Sequence, residues 1–195
     1  MGRLGSRYID FKCSRIAGGD AKANAVLMVF NGIAWVWTIA ARGWTLESLL
    51  ICGAASVFLA LAFIDAKTFE IPVECNCLIG FLGILHLFSD LENWPDYVAG
   101  MCLVSGLLLA VYFITNQKGI GGGDVKLMAA AGLFIGWQKI SLAFLMGCSL
   151  GAVIHPLKMR LRGKGKILAL GPYLSVGVFF SMLYGDKILM ICAIK

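Results

Sequence analysis

The chain alternates long, nearly uncharged apolar stretches with short polar connections. A helix that crosses a bilayer needs about 20 mostly apolar residues. Residues 127–137 are too short to cross alone, but extended back to Asp124 they become a partly broken span. The pattern therefore predicts an all-α fold, a polytopic membrane helix bundle with six or seven transmembrane helices. The six stretches that come close to the required length are 24–41, 48–64, 73–88, 97–115, 140–157 and 167–185.

These stretches divide the 195 residues into three parts. Residues 1–23 are predicted to form a cytoplasmic N-terminal tail, and residues 24–187 a transmembrane bundle. Residues 188–195 are predicted to form a short C-terminal tail, because the apolar run in them is too short to cross a bilayer. No sizeable soluble domain fits beside the predicted spans.

The composition supports a membrane protein. Apolar residues make up 59% of the chain and charged residues 14%, against roughly 45–50% and 25% in soluble domains. These values exclude a disordered chain, a coiled coil and an ordinary soluble enzyme. The net charge of +6 does not indicate a nucleic-acid partner, since no run of Lys and Arg is interleaved with aromatic residues. The seven Cys form no CxxC pair, so we expect neither a zinc site nor a disulfide framework, and no cofactor.

The basic residues predict the orientation of the bundle in the membrane. With seven spans, 13 of the 17 Lys and Arg residues fall on the side of the N-terminal tail. The connection at 89–96 lies on the other side and carries three acids and no base. Cytoplasmic segments are rich in Lys and Arg. We therefore expect the N-terminus inside and, with seven spans, the C-terminus outside.

Two acidic residues do not behave like loop charges. Asp65 closes a 17-residue apolar run, and Asp124 follows a glycine cluster and opens another apolar stretch. The predicted orientation places both at the cytoplasmic ends of their helices, although 58 residues separate them. Two neighbouring carboxyl groups share one proton, so one can take a proton from water while the other gives one to a substrate. The residues alone leave another hypothesis open, in which Asp65 is an interfacial residue and Asp124 an N-cap.

The glycine cluster before Asp124 is the second unusual feature. Gly119, Gly121, Gly122 and Gly123 are expected not to support a stable helix. Glycine allows a backbone to approach a substrate strand closely and to offer it free N–H groups. A flexible connection between spans is the alternative. A phosphate-binding P-loop is excluded because no G-K-[ST] follows.

Three motifs, in this order along the chain, carry a resemblance to a known family. They are IDAKTFEIP at 64–72, GGGD at 121–124 continued as VKLMAAAGLFIGW, and LGPYLSVG at 170–177. Together they cover roughly residues 48–182 and resemble the signatures of the type IV prepilin peptidases, which are membrane aspartyl proteases of the GxGD type. The resemblance implies that Asp65 and Asp124 are the catalytic pair. It also implies that Gly121 and Gly123 shape an active-site loop, in which we include Gly122 and Lys126.

The resemblance further implies an aspartyl endopeptidase in the cell inner membrane. Its substrates would be prepilin-like precursors, from which it removes a short basic leader near the cytoplasmic face. Many bacterial members carry an additional cytoplasmic domain with paired CxxC motifs and N-methylate the new terminus. This chain has no such motifs and resembles a short, peptidase-only form, so methyltransferase activity is not predicted.

Several alternatives stay open at this point. A small proton- or cation-coupled carrier would use the two acids beside a broken helix, and a structural subunit would use them for no chemistry. Lys126 either tunes Asp124 or extends toward the cytoplasm. Glu70 and Glu74 either attract a basic leader or mark the start of a helix. The sequence does not indicate the oligomeric state.

Overall fold

The structure is a computed structural model that describes residues 21–116, 120–162 and 170–193. In these ranges the chain is all-α, as predicted, with seven α-helices and one short 3₁₀ turn, Leu91–Asn93. The helices are α1 (Ala21–Arg42), α2 (Leu46–Thr68), α3 (Val73–Ser89), α4 (Trp94–Ile114), α5 (Gly122–Ile135), α6 (Trp137–Arg162) and α7 (Gly171–Ala193).

Five helical segments are long and apolar enough to cross a membrane. Helix α3 is apolar but has only 17 residues. Helix α5 has 14 residues and is therefore about 21 Å long, short of the roughly 30 Å hydrocarbon core. The fold is a polytopic membrane helix bundle, as predicted. The five candidate spans are Asn24–Arg42, Leu46–Thr68, Leu91–Ile114, Trp137–Leu157 and Gly171–Cys192.

Two of the predicted boundaries differ from the helix ends. Helix α1 begins at Ala21, inside the segment predicted as the tail 1–23. Helix α7 continues to Ala193, past the predicted boundary at 187, because the sequence ILMICA contains no residue that ends a helix. The division into three parts stays a prediction. Outside the described residues lie Gly119, residues 1–20, and the basic residues Lys118, Lys164 and Lys166 on which the predicted orientation partly depends.

Local signals explain where the helices near the two aspartates begin and end. Thr45 caps α2, and its hydroxyl accepts a hydrogen bond from the Ser48 N–H at 3.1 Å. Phe69 ends the same helix in the left-handed conformation (φ 55°), with its N–H bonded to the Asp65 carbonyl. Helix α5 ends at Gly136, whose φ of 80° favours glycine. That single residue separates α5 from α6.

The core contains buried residues of every helix from α2 to α7. Phe58 and Leu61 of α2, Leu127 and Met128 of α5 and Leu174 of α7 are all at most 2% exposed. Helix α5 packs mainly on α3 and α4, and α7 packs on α6 and α2. The helix that contains Asp124 is therefore surrounded by other helices.

Helices α4 and α5 cross backbone to backbone at Gly100 and Gly132. A Cβ added at Gly100 would lie 2.6 Å from the carbonyl oxygen of Gly132, and a Cβ at Gly132 would clash with the backbone of Gly100. Pairs of small residues allow membrane helices to approach this closely. We call this contact the glycine crossing.

Helices α3 and α5 run parallel. A Cβ at Gly80 would lie 3.9 Å from the Cβ of Ala130, and a Cβ at Gly83 would lie 3.2 Å from the backbone nitrogen of Phe134. The contacts advance in the same direction along both helices. Each residue of α3 therefore lies opposite the residue of α5 whose number is about 50 higher.

At one end of the bundle, four charged residues form what we call the ionic cluster. Arg42, at the end of α1, bonds Glu47 of α2 at 2.7 Å and Asp186 of α7 at 3.0 Å. Lys139 of α6 bonds the other oxygen of Asp186 at 2.9 Å. The cluster therefore joins four helices at the end away from Asp65 and Asp124.

Candidate active site

Asp65 lies in the last turn of α2 and is only 5% exposed. Its Oδ2 accepts a hydrogen bond from the backbone N–H of Gly171 at 3.0 Å. Gly171 is the first residue of α7. The first N–H groups of a helix have no partner within the helix and carry partial positive charge. The carboxyl of Asp65 therefore caps α7 from another helix.

Gly171 allows this contact because it has no side chain. A Cβ at this position would lie 2.5 Å from Oδ2 of Asp65 and 3.0 Å from its Cγ. Gly171 belongs to the motif LGPYLSVG, but the sequence alone does not predict a role for this residue. The available signal was a glycine directly before Pro172, at the start of an apolar helix.

Asp124 lies in the first turn of α5 and is 8% exposed. The N-cap position belongs to Gly121, whose carbonyl accepts the Asp124 N–H at 3.1 Å. The alternative that Asp124 is the N-cap is therefore wrong. The backbone N–H of Gly121 in turn bonds the Asp124 carboxyl. Within the described residues, Oδ1 of Asp124 is buried and has no hydrogen-bond partner.

Asp65 and Asp124 come together at one end of the bundle. The charge of Asp65 acts on the carboxyl of Asp124, so the two groups are electrostatically coupled. Each carboxyl also accepts a hydrogen bond from a glycine N–H at a helix start. Two adjacent carboxyl groups cannot both ionise cheaply and share one proton. Such a pair contains one group that accepts a proton and one that donates it.

The glycines before Asp124 are only partly outside the helix. Gly122 and Gly123 form the first turn of α5, whereas Gly121 precedes it. The expectation that the cluster is non-helical is therefore wrong for two of the glycines. A Cβ at Gly123 would lie 2.9 Å from the Cβ of Ile71. The absence of a side chain at this position lets the connection between α2 and α3 pack against the start of α5.

The remaining charged residues considered for the site are exposed. Lys126 is exposed, and two residues along a helix rotate it about 200° away from Asp124. Glu70 and Glu74 are exposed on the connection and at the start of α3. Asp96, in the first turn of α4, lies at the other end of the bundle. Over the described ranges, no three His, Cys, Asp or Glu side chains are arranged to hold a metal ion.

Known proteins identify the group to which these motifs belong. The model of the type IV leader peptidase family matches residues 52–155, which include Asp65 and Asp124. No solved structure matches the chain.

Three similar proteins each bear the name prepilin leader peptidase/N-methyltransferase. The protein of Aeromonas hydrophila is 32% identical over 156 residues, which are 76% of this chain and 53% of that protein. The protein of Aeromonas salmonicida is 32% identical over 154 residues, 75% of this chain and 52% of the relative. The protein of Pseudomonas putida is 32% identical over 154 residues, 75% and 53% of the two chains. The chain thus spans about half the length of these curated relatives.

The family match covers more than half of the sequence, and its region contains the paired aspartates and most of the apolar helices. The chain is therefore a multi-pass membrane protein that belongs to the type IV leader peptidase family.

Proposed function

We propose that the protein is an aspartyl endopeptidase of the inner membrane that removes the short basic leader from prepilin-like precursors. The observation that carries the proposal is the pairing of Asp65 with Asp124 at one end of the bundle, each with its carboxyl bonded to a glycine N–H. The names of the relatives supply the substrate class. The proposal covers peptide cleavage and does not include N-methylation.

The reaction needs only the two carboxyl groups and a water molecule. The ionised aspartate removes a proton from the water, whose oxygen attacks the carbonyl carbon of the scissile peptide bond. The protonated aspartate gives its proton to the departing amine as the C–N bond breaks. At this point the two aspartates have exchanged protonation states. Transfer of one proton between them restores the starting state.

The position of the pair suits a substrate that is partly in the membrane. A precursor with a basic leader and an apolar helix has its junction at the membrane surface. The pair lies at the end of the bundle that the distribution of Lys and Arg assigns to the cytoplasm. The leader would remain in the cytoplasm while the apolar helix stays in the bilayer. The proposed partners are thus the precursor and the lipid bilayer.

The carrier hypothesis has no comparable support. The family match is to peptidases, and both acids lie at one end of the bundle. A transporter site lies near the bilayer midplane.

The test is to co-express a prepilin with the wild type, or with the variants Asp65→Asn and Asp124→Asn, in a host without its own prepilin peptidase. We expect each variant to abolish cleavage, because Asn cannot exchange a proton. Asn preserves the shape of the side chain, and its amide oxygen can still accept the Gly171 N–H at position 65. The readouts are the size of the pilin and the sequence of its new N-terminus.

Asp96→Asn is the matched control, since Asp96 is exposed at the other end of the bundle. It should cleave at the wild-type rate. Wild-type cleavage by either Asp65→Asn or Asp124→Asn would refute the catalytic pair. If the wild-type protein inserts normally into the membrane but cleaves none of several prepilins, the proposed substrate class is refuted.

A further inference from the structure

Asn76 is a buried amide in the first turns of α3. It is 7% exposed, and neither Nδ2 nor Oδ1 has a hydrogen-bond partner among the described residues. Nearly all buried polar groups in native proteins are paired, because an unpaired group loses its bonds to water without replacement. An apolar residue would fill this position at lower cost. The amide therefore indicates a role beyond packing.

The register of α3 and α5 places Asn76 close to the level of Asp124 on the neighbouring helix. With the offset of about 50 residues, Asn76 lies opposite residues 126–127 of α5. That level is two to three residues beyond Asp124, or about 3 to 4.5 Å along the helix axis. Asn76 is on the buried face of α3, with Ile79 and Gly83. Gly83 contacts α5 directly, so Asn76 shares the face that packs on α5.

The direction of the Asn76 side chain shortens the distance between its amide and Asp124. In a helix the Cα–Cβ bond tilts toward the N-terminus. For Asn76 this is the end at which α5 begins and Asp124 lies, since the two helices are parallel. The two residues also complement each other chemically. Oδ1 of Asp124 is a buried acceptor without a partner, and Nδ2 of Asn76 is a buried donor without one.

We propose that Asn76 is a positioning residue whose side-chain amide donates a hydrogen bond to Oδ1 of Asp124, directly or through one water molecule. Gly121 bonds the same carboxyl from the other side, so the two contacts fix its plane relative to Asp65. Donors favour the ionised form of a carboxyl. A hydrogen bond from Asn76 would therefore favour the ionised form of Asp124, the form that can act as a base. The catalytic consequence rests on the proposed peptidase function.

Other groups around Asp124 do not supply this contact. Asp65 faces it from α2 and repels its charge. Lys126 and Glu74 are both exposed, the first on the far side of α5. From α4, Tyr112 lies against Gly122, with its ring atoms and hydroxyl 3.8 to 3.9 Å from where a Cβ would be, and its hydroxyl is not bonded to Oδ1 of Asp124.

The first experiment measures cleavage of a purified prepilin by wild type, Asn76→Leu, Asn76→Thr and Cys77→Leu in detergent. Leu has the same branched shape but no donor, whereas Thr keeps a donor. We expect Asn76→Leu to lower kcat by roughly tenfold to a hundredfold, the range expected for one hydrogen bond to a charged group, with KM unchanged. The acidic limb of its pH–rate profile should move to higher pH. Asn76→Thr should recover part of the rate.

Cys77→Leu is the matched control, because Cys77 is the next residue on the same helix and is exposed. It should behave as the wild type. A purely structural Asn76 predicts the opposite pattern: Asn76→Leu would retain the rate and gain thermal stability, since it removes an unpaired buried amide. That result would overturn the proposal, as would a change in KM with kcat unchanged.

A second experiment does not depend on activity. Infrared spectra of protein labelled with ¹³C at the aspartate carboxyl contain a band of Asp124, identified by its loss in Asp124→Asn. We expect Asn76→Leu to shift that band to higher frequency and Cys77→Leu to leave it in place. An unshifted band would overturn the proposed contact, whatever the rates. If no prepilin is cleaved by the wild type, the peptidase proposal fails, while a shifted band still supports the contact.

Discussion

The backbone N–H of Gly171 donates a hydrogen bond to Oδ2 of Asp65 across 106 positions of the chain. This bond joins the end of α2 to the start of α7 and defines one side of the proposed active site. The donor is a backbone N–H, which any residue except proline would supply, but a Cβ at position 171 would collide with the Asp65 carboxyl. The bond therefore depends on the absence of a Cβ and on the position of the helix start.

Gly171→Ala should strongly reduce cleavage. The added methyl group would lie 2.5 Å from Oδ2 of Asp65, so the carboxyl or the start of α7 must move. A displacement of about 1 Å at a catalytic group can cost roughly a hundredfold in rate. Prepilin processing in cells and with purified enzyme measures the loss. Gly106→Ala is the control, because nothing lies within 4 Å of its Cβ position. Normal processing by Gly171→Ala would show that the contact with Asp65 is dispensable.

Gly122 and Gly123 should respond differently to the same substitution. A Cβ at Gly123 meets the Cβ of Ile71 at 2.9 Å, whereas a Cβ at Gly122 meets only Tyr112, at 3.8 Å. We expect Gly123→Ala to slow cleavage, because the connection before α3 must move away from the start of α5. Gly122→Ala should retain most of the rate, since Ala also favours the helix by about 1 kcal/mol. Equal rates of the two variants in the processing assay would contradict this explanation of the glycine cluster.

Asp186→Asn should lower stability without stopping cleavage. It removes the charge that bonds both Arg42 and Lys139. The Asp186 side chain is 59% exposed, so each pair contributes at most about 1 kcal/mol. The expected decrease in Tm is about 2–4 °C for a chain of this size, measured by thermal unfolding in detergent at low salt. Glu92→Gln, at an exposed position, should leave Tm unchanged. A large loss of cleavage in Asp186→Asn would connect the ionic cluster to the active site.

The C-terminus should lie on the outer face of the membrane. If the N-terminus is inside, alternation of the seven described helices brings the end of α7 to the outer face. A periplasmic reporter fused after Lys195 should be active, and a cytoplasmic reporter at the same place should be inactive. The reverse result would refute the seven-span topology, and the face assigned to the active site would then need a separate test.

Chelators should leave cleavage unchanged. The proposed reaction uses two carboxyl groups and water, with no step that needs a Lewis acid. We expect the rate in excess EDTA to equal the rate in buffer, measured with purified enzyme. A loss of activity that added divalent metal restores would replace the mechanism proposed here with a metal-dependent hydrolysis.

The helices and the pair of aspartates could be predicted because their signals are local. An apolar stretch of about 20 residues indicates a span by itself, and alternation of spans places Asp65 and Asp124 at one end. The contact of Asp65 with Gly171 could not be predicted in this way, since it depends on the packing of α2 against α7. The role of Asn76 could not be predicted either, because it depends on the register of α3 and α5. The sequence does not predict that Gly122 and Gly123 are helical, because glycine locally disfavours a helix. Packing of Gly123 against Ile71 favours the helix, and this contact is visible only in the structure.

The glycine crossing has a consequence for insertions and deletions. Helix α5 is too short to be located by the thickness of the bilayer, so its contact with α4 at Gly132 anchors it along its axis. Asp124 is eight residues from that anchor, or about 12 Å. Adding or removing one residue between them would move the carboxyl by about 1.5 Å and turn it by about 100°. The number of residues between Asp124 and Gly132 therefore sets the position of the carboxyl. In this segment a substitution is far better tolerated than an insertion or a deletion.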